Sequence, residues 1–183
     1  MKKIHTIFKR DFEGNRGVID ELNVEETFLK SCYATEKVDG TNIRITVRNK
    51  QVVRIEKRRN PSKLEKAKGI IEPWYIDIDE YAPENKWIID AVKNANTEFD
   101  DGEYSCEAFG KNIQGNPLNM DYNCVYFFTL QAEKILDCPI TFNELKEWLP
   151  KQDSKIGKGK IEGIVWHHPE MGAMYKIKTK DFK

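Results

Sequence analysis

Three observations predict an α+β fold class. Residues 43–58 (IRITVRNKQVVRIEKR) alternate between apolar and polar side chains on either side of an Asn-Lys turn, which is typical of a β-hairpin with one wet face. Residues 84–99 and 141–150 instead repeat apolar side chains at helical spacing. Because strands and helices do not alternate strictly along the chain, an α+β fold is favoured over a parallel α/β sheet.

The strands are predicted by composition and by the residues that bound them. The apolar face of the hairpin consists of Ile43, Ile45 and Val47. Further strands are predicted where short segments are rich in β-branched and aromatic residues and end at turn residues. These segments are YSCEAFG (104–110), CVYFFTL (124–130), IEGIVWHH (161–168) and AMYKIKTK (173–180).

The two helices are predicted by periodicity and capping. The segment 84–99 (ENKWIIDAVKNANTEF) carries one apolar stripe. The members of this stripe are Trp87, Ile88, Ala91, Val92 and Ala95. In TFNELKEWLP (141–150), Thr141 and Glu144 have capping-box spacing and Pro150 terminates the pattern.

Length, charge and cysteine spacing restrict what the chain does. With 183 residues the chain suits one domain, which we expect to span 1–183. Its 30 basic and 30 acidic residues balance, so nucleic acid must be met by a local basic patch. The four cysteines form no C-x-x-C pair, which argues against a zinc site and a dense disulfide framework. No segment approaches about 18 consecutive apolar residues, so we expect a cytoplasmic protein without a membrane span.

The segment EKVDGTN (36–42) is the first candidate for chemistry. A Lys-x-Asp-Gly sequence alone is a weak signal, because these residues are common at turns and an ordinary surface hairpin explains them equally well. Further candidate residues follow this segment along the chain. They are the arginines of RRNP, Glu107 in CEAFGKNIQG, the aromatic strand VYFFTL, Glu162 in IEGIV, and Lys176 and Lys178 in YKIK.

This ordered series resembles the covalent nucleotidyltransferase superfamily of DNA ligases, RNA ligases and capping guanylyltransferases. The pattern EKVDGTN, EAFGKNIQG, FF, EGIVW and YKIKTKDF is most similar to the ATP-dependent RNA ligases and spans most of the chain. The resemblance implies antiparallel sheets that form a nucleotide cleft with flanking helices. It also implies ATP and Mg²⁺ (or Mn²⁺) as cofactors, a lysyl-AMP intermediate, and transfer of AMP to an RNA 5′-phosphate that is then sealed to a 3′-hydroxyl.

The resemblance assigns roles to individual residues. Lys37 is the nucleophile, Lys176 and Lys178 are catalytic, and Glu162 is the metal ligand. The implied nucleotide-binding residues are Glu36, Asp39, Gly40, Asn42, Arg59, Glu107, Phe128, Lys176 and Lys178. Two alternatives stay open, because Arg58 fits the arginine position next to Arg59 and Phe127 fits the stacking position next to Phe128.

Elementary chemistry supports several of these roles independently. A lysine attacks phosphorus only as the neutral amine, which neighbouring cations favour. Alternation along a strand over 175–180 would place Lys176, Lys178 and Lys180 on one face, where they would neutralise charge developing on phosphate. Taken alone, these lysines equally fit an edge strand that deters aggregation. A lone carboxylate with waters and phosphates suits magnesium at Glu162.

In the predicted strand 104–110, the Glu107 carboxylate would accept hydrogen bonds from ribose hydroxyls, although pairing with a lysine on a neighbouring strand explains it equally well. In the predicted strand 124–130, Phe127 and Phe128 lie on opposite sides, so one fills the core and the other can stack on a base. The pattern of aromatic, polar and aliphatic residues in the family favours Phe128.

The resemblance also sets expectations about the whole protein. DNA ligases, capping enzymes and many RNA ligases continue into a further C-terminal domain, whereas this sequence ends five residues after Lys178. We therefore expect a minimal adenylyltransferase domain that joins RNA ends in nicked or stem-loop RNA and acts in RNA repair. The expectation leaves open a partner protein that replaces the further domain. The alternatives are a DNA ligase, another adenylyl- or guanylyltransferase, and a non-catalytic nucleic-acid-binding module.

Overall fold

The computed structural model describes residues 3–95, 98 and 100–183. The chain divides into two compact units. The hairpin unit comprises Asp39–Gln131 together with Lys3, and the lysine unit comprises Ile4–Val38 and Ala132–Lys183. Strands predominate and the helices are short, so the predicted α+β class is confirmed. The assignment of 1–183 as one domain and the nucleotide cleft stay predictions.

The elements are named in chain order. The strands are β1 (His5–Thr6), β2 (Phe8–Arg10), β3 (Val18–Leu22), β4 (Tyr33–Lys37), β5 (Thr41–Arg48), β6 (Gln51–Arg59), β7 (Trp74–Asp77), β8 (Gly102–Gly110), β9 (Asn123–Phe127), β10 (Lys134–Ile135), β11 (Gly163–His167) and β12 (Met174–Lys178). The helices are α1 (Glu26–Lys30), α2 (Lys63–Ala67), α3 (Lys86–Lys93), α4 (Phe128–Gln131) and α5 (Phe142–Trp148). Short 3₁₀ turns lie at Pro83–Asn85, Leu149–Lys151 and Thr179–Asp181. Within the described part of the chain, no helix combines the length and the apolar character needed to cross a membrane.

The hairpin unit is built on an antiparallel sheet with the strand order β7-β6-β5-β8-β9. The β5–β6 hairpin turns at Asn49 and Lys50, whose φ angles of 50° and 61° match the positive φ values of a tight hairpin turn. As predicted, the apolar face of β5 is fully buried, and α3 packs on that face. The opposite face is polar, and it carries Asn42, Arg58 and Glu107.

Three predictions within the hairpin unit were wrong in detail. The predicted helix 84–99 is shorter, since α3 covers Lys86–Lys93, and residues 96, 97 and 99 lie outside the described residues. Trp87 is 37% exposed and not part of the core, and the Lys86 ammonium lies 4.6 Å from the centroid of its ring. The strand predicted over 124–130 ends at Phe127, and Phe128 begins α4.

The lysine unit is built on a sheet with the order β1-β12-β11-β4-β10, in which only the β1–β12 pair is parallel among the described strands. One face of this sheet packs against α5 and the turn that follows it. The residues of this core include Ala34, Leu145, Leu149, Ile164, Trp166 and Ile177. The other face presents Lys37, Lys176 and Lys178, because side chains alternate along each strand.

Two details of the lysine unit differ from the sequence-based expectation. The predicted strand through Lys180 stops at Lys178, and Lys180 lies in a 3₁₀ turn, so the alternation of faces does not extend to it. Thr141 is the N-cap of α5, but its hydroxyl donates to the Glu144 carboxylate at 2.5 Å and accepts no hydrogen bond from the helix backbone. The predicted reciprocal capping box is therefore incomplete.

Gly163 lies where the strands of the lysine-unit sheet leave no space for a side chain. In the register of the three central strands it lies between Lys37 on β4 and Lys178 on β12. A Cβ atom at this position would lie 2.0 Å from the carbonyl oxygen of Ile177 and 2.8 Å from the Lys178 Cα. Both of these are backbone atoms, so the strands would have to move apart to admit a methyl group.

We expect Gly163→Ala to lower the free energy of unfolding by about 1–3 kcal/mol, because overpacking displaces backbone that cannot yield locally. The measurement is urea unfolding followed by circular dichroism. The matched control is Gly102→Ala, whose added methyl would meet only the Tyr104 side chain, at 3.3 Å. Equal denaturation midpoints for the two variants would show that the central strands tolerate a side chain at position 163.

Candidate active site

The centre of the candidate site is a carboxylate between two lysines. Glu162 directly precedes β11, and its Oε2 lies 2.5 Å from the Nζ of Lys37 at the end of β4. Its Oε1 is in ion-pair contact with the Nζ of Lys178 at the end of β12. The Glu162 side chain is 7% exposed, and those of Lys37 and Lys178 are 19% and 21% exposed. The structure thus brings together the predicted nucleophile, the predicted metal ligand and one predicted catalytic lysine.

The two lysines control the charge of Glu162. Burial raises the pKa of this carboxyl group, but the opposing effects of Lys37 and Lys178 are larger in sum and leave its pKa below the ordinary value of 4.5. Glu162 is therefore ionised at neutral pH. Lys37 donates to it and also to the carbonyl oxygen of Val38, at 3.3 Å. The amine is consequently held by two acceptors at the end of its strand.

The other predicted lysine lies on the same face but one step away. Lys176 pairs in register with Val165, two positions along β12 from Lys178, which corresponds to about 7 Å along a strand. Lys180 approaches Glu162 Oε1 at 3.9 Å from the 3₁₀ turn and is 71% exposed. The expectation that Lys176 and Lys178 share a face holds, and of the two it is Lys178 whose contact with Glu162 the structure records.

Glu36, which precedes the candidate nucleophile, lies on the opposite face of β4. It is 9% exposed, accepts a hydrogen bond from the Ser154 hydroxyl at 2.6 Å and another from the Lys155 backbone at 3.1 Å. Burial is the main cause that raises the pKa of its carboxyl group. Glu36 therefore holds the start of the lysine-glycine loop 154–160, and its predicted role in nucleotide binding is untested.

In the hairpin unit, Asp39 and Gly40 follow directly on the motif lysine. A Cβ atom on Gly40 would lie 2.3 Å from the Ala108 carbonyl oxygen, so only glycine lets this loop approach β8 so closely. Asp39 is partly buried. These positions shape the entry into β5, which carries Asn42.

Asn42 and Glu107 face each other on neighbouring strands of the hairpin unit. They are partners in the β5–β8 register, and the Asn42 Nδ2 donates to the Cys106 carbonyl at 3.1 Å and to Glu107 Oε2 at 3.4 Å. The Glu107 side chain is among the buried charged groups of this unit, with 8% of its surface exposed. The predicted ribose acceptor and the predicted Asn42 are therefore in contact.

The structure separates the two arginine candidates. The Arg59 guanidinium is engaged by its own segment, since it binds both oxygens of Glu65, at 2.8 and 3.1 Å, and lies 4.6 Å above the Trp74 ring. That contact, together with hydrogen bonds from Ser62, lowers the pKa of Glu65 to about 2. In contrast, the Nε of Arg58 is buried and has no hydrogen-bond partner among the described residues. Arg59 is thus already engaged within its own segment, which makes Arg58 the alternative for a ligand contact, although Arg59 was the first choice from sequence.

The aromatic candidates are also distinguished by burial. Phe127 is 4% exposed and belongs to the core of the hairpin unit, where its ring contacts Tyr104. Phe128 is partly exposed at the start of α4 and meets Tyr126 edge-on, with the ring centroids 6.0 Å apart. Phe128 is therefore the ring with accessible surface, even though the expected strand alternation is replaced by the start of a helix.

One polar residue on the polar face of the hairpin-unit sheet, Tyr75, was not predicted from the sequence. Tyr75 on β7 donates its hydroxyl to Asn42 Oδ1 at 2.8 Å and is the register partner of Arg58. No strand was predicted over residues 74–77. No local sequence pattern shows that the Tyr75 hydroxyl reaches past β6 to a residue of β5. Only the observed pairing of β6 with β7 identifies Tyr75.

The donor set allows a metal held by a single protein carboxylate. Among the described residues, no group of three or more His, Cys, Asp or Glu side chains is arranged to hold a metal ion. Glu162 offers hard oxygen donors, which suit Mg²⁺, but both oxygens already contact ammonium groups. A divalent cation would fit here only together with phosphates, whose negative charge offsets the two lysines.

Comparison with known proteins identifies a fold. No protein-family model and no curated protein sequence matches the chain. A Naegleria gruberi RNA ligase variant solved with AMP and Mn aligns with a TM-score of 0.50 and 14% identity, over 96% of this chain and 59% of that chain. The same ligase with PPi aligns with a TM-score of 0.49 and 14% identity, over 97% of this chain and 61% of that one. The chain thus spans less than two thirds of those ligases, and its fold is similar to theirs.

The charge state of Glu162 predicts how stability depends on pH. Its folded-state pKa lies below the ordinary 4.5, so its contribution is present above pH 4.5 and is lost as pH falls through the folded-state pKa. We expect Glu162→Gln to reduce the loss of unfolding free energy between pH 5 and about pH 3. Urea unfolding by tryptophan fluorescence at several pH values measures this effect.

The control for this measurement is Glu21→Gln, which removes an ion pair with Lys9 whose two side chains are 54% and 57% exposed. Exposed pairs of this kind contribute about 0–1 kcal/mol. If Glu162→Gln follows the wild-type pH profile as closely as Glu21→Gln does, the Lys37–Glu162–Lys178 contacts do not persist in solution.

Proposed function

We propose that the protein is an ATP-dependent RNA ligase that acts through a covalent lysyl-AMP intermediate on Lys37. The observation that carries this proposal is the buried Glu162 carboxylate with Lys37 on one oxygen and Lys178 on the other. A structural ion pair needs one lysine, whereas two amines that converge on one carboxylate beside an ordered strand end suit phosphoryl chemistry. The order of the motifs along the sequence supports the same function.

In the proposed first step, the Lys37 Nζ attacks the α-phosphorus of ATP. A nitrogen–phosphorus bond forms, the bond to the bridging oxygen breaks, and pyrophosphate leaves. Before attack, the Lys37 ammonium must release its hydrogen bond to Glu162 and give up one proton to solvent water. Lys178 and Lys176, on the same face of β12, would stabilise the negative charge on the α-phosphate and on pyrophosphate.

A divalent metal, when bound, supplies further charge neutralisation to the triphosphate, and Glu162 would be its protein ligand.

The two later steps of the proposed reaction would use the same residues. AMP passes from Lys37 to an RNA 5′-phosphate, which restores the amine. The RNA 3′-hydroxyl then attacks that 5′-phosphate, a phosphodiester bond forms, and AMP leaves.

The hairpin unit would bind the nucleoside. Glu107 would accept hydrogen bonds from ribose hydroxyls while Asn42 holds its carboxylate. Arg58 would contact the nucleotide in preference to Arg59, because Arg59 is already bound to both oxygens of Glu65. Phe128 supplies an accessible ring on which a base would stack.

The first test is covalent labelling. Lys37→Arg keeps a cation opposite Glu162 but cannot form the phosphoramidate under these conditions, so we expect a folded protein that takes up no label from ATP carrying radioactive α-phosphate. We expect Lys178→Ala and Glu162→Ala to slow labelling by roughly 10²- to 10³-fold, the usual effect of losing one preorganised electrostatic contact. Mass spectrometry of the wild type locates the adduct.

The matched control for labelling is Lys9→Ala, which removes an exposed lysine of the same unit and should label at the wild-type rate. Label in Lys37→Arg would identify another nucleophile. If Lys178→Ala and Glu162→Ala both take up label at the wild-type rate, the Lys37–Glu162–Lys178 contacts are structural and have no part in adenylation.

The second test concerns the nucleic acid. We expect sealing of a nick between RNA strands in the presence of ATP and metal, with slower sealing of the same nick made of DNA, because the 2′-hydroxyl distinguishes the two. The formal net charge of zero predicts contacts to few phosphates, so the affinity should fall only shallowly with salt. Gel separation of end-labelled strands across a salt series measures both properties.

Equal sealing of the DNA nick would favour a DNA ligase. A lysyl adduct that forms without any transfer to either nucleic acid would favour another adenylyltransferase. A protein that binds RNA but forms no adduct would be a non-catalytic module.

A further inference from the structure

The polar face of the hairpin-unit sheet contains a chain of contacts that ends at Glu107. The Tyr75 hydroxyl donates to Asn42 Oδ1 at 2.8 Å. The amide of Asn42 then donates through Nδ2 to Glu107 Oε2 at 3.4 Å and to the Cys106 carbonyl at 3.1 Å. Three strands contribute to this chain, namely β7, β5 and β8.

The contact from Tyr75 fixes the orientation of the Asn42 amide. An asparagine side chain presents an acceptor at one end and two donors at the other. With the oxygen held by the tyrosine hydroxyl, both amide hydrogens face acceptors on β8. In the reversed orientation, the amide oxygen would face a carbonyl and a carboxylate, and the amide nitrogen would face a hydroxyl. Loss of the tyrosine hydroxyl therefore leaves Asn42 anchored at one end only.

Tyr75 is itself held firmly. The guanidinium of Arg44 lies 4.7 Å from the centroid of its ring. Arg44 is fixed in turn by Glu56, which is 2% exposed and accepts from it at 2.6 and 2.8 Å. Burial, opposed by a hydrogen bond with Ser105 and by nearby arginines, raises the pKa of the Tyr75 hydroxyl, so it keeps its proton and remains a donor at neutral pH.

We propose that Tyr75 is a positioning residue that sets sugar selectivity, because it holds Asn42 so that Glu107 is oriented to accept from the 2′-hydroxyl of a ribonucleoside triphosphate. This inference rests on the proposed function in assigning ribose to Glu107. It adds that selection of ribose over deoxyribose depends on a residue that does not touch the sugar. A carboxylate held in one orientation accepts better from a hydroxyl in one fixed position.

The experiment measures equilibrium binding of ATP and 2′-deoxy-ATP, with magnesium, by isothermal titration calorimetry. All variants carry Lys37→Arg, so that no nucleotide is consumed. We expect Tyr75→Phe, which keeps the ring beneath Arg44, to lower the preference for ATP over 2′-deoxy-ATP by roughly fivefold to tenfold, as for the loss of one hydrogen bond. The affinity for 2′-deoxy-ATP should stay nearly unchanged.

Two further variants distinguish positioning from general damage. Tyr104→Phe removes a hydroxyl that donates to the Asp100 carbonyl from the core face of β8, and it should leave the preference intact. In a protein that already carries Glu107→Ala, adding Tyr75→Phe should not lower the preference further, because both changes remove the same contact. An unchanged preference in Tyr75→Phe, or an equal loss in the Glu107→Ala background, would overturn the inference.

The outcome is separable from that of the proposed function. Ribose-selective binding that depends on Tyr75, in a protein whose wild type takes up no α-phosphate label, would uphold the role of Tyr75 and refute the ligase. Covalent labelling without any preference between the two nucleotides would uphold the adenylyltransferase and refute the role of Tyr75. Absence of nucleotide binding would refute both.

Discussion

The burial of Glu162 between two lysines is the constraint on which the candidate site depends. A carboxylate that is 7% exposed cannot remain ionised without compensating charge, and Lys37 and Lys178 supply it from neighbouring strands. The lysines in turn are held at fixed positions by the carboxylate, although each has a long and flexible side chain. Removing either lysine leaves a partly compensated buried charge, whereas removing Glu162 leaves two ammonium groups facing each other.

The register of the sheet makes this arrangement possible. Lys37, Gly163 and Lys178 are partners across three strands, so the two lysines project from the same side of the sheet on either side of a residue without a side chain. A larger residue at 163 would meet backbone atoms and would separate the strands that carry the lysines. Glu162 then enters from the end of the central strand, where a side chain reaches both neighbours. The chemistry of the site thus depends on a glycine as much as on charged residues.

The sequence predicted those features that depend on local pattern. Alternation identified the apolar face of the β5–β6 hairpin, because a strand with one buried face leaves a period of two in the sequence. It also placed Lys176 and Lys178 on one face. The pattern failed where tertiary contacts decide, as at Phe128, which begins a helix, and at Trp87, which stays half exposed beneath Lys86. The choice between Arg58 and Arg59 was beyond sequence, because it depends on Glu65 reaching back to Arg59 from the following helix.

The position of EKVDGTN in the chain explains why so short a motif carries so many candidate residues. The boundary between the two units falls between Val38 and Asp39. Lys37 therefore ends a strand of the lysine unit, and five residues later Asn42 lies on the first strand of the hairpin unit. One continuous segment thus contributes the Lys37 amine to the ion-pair cluster of one unit and the Asn42 amide to the hydrogen-bond network of the other. Gly40 is needed between them because a Cβ atom at this position would lie 2.3 Å from the carbonyl oxygen of Ala108. The motif is therefore the connection between two packed units, and its lysine is largely buried, unlike the solvent-exposed lysine of a surface hairpin.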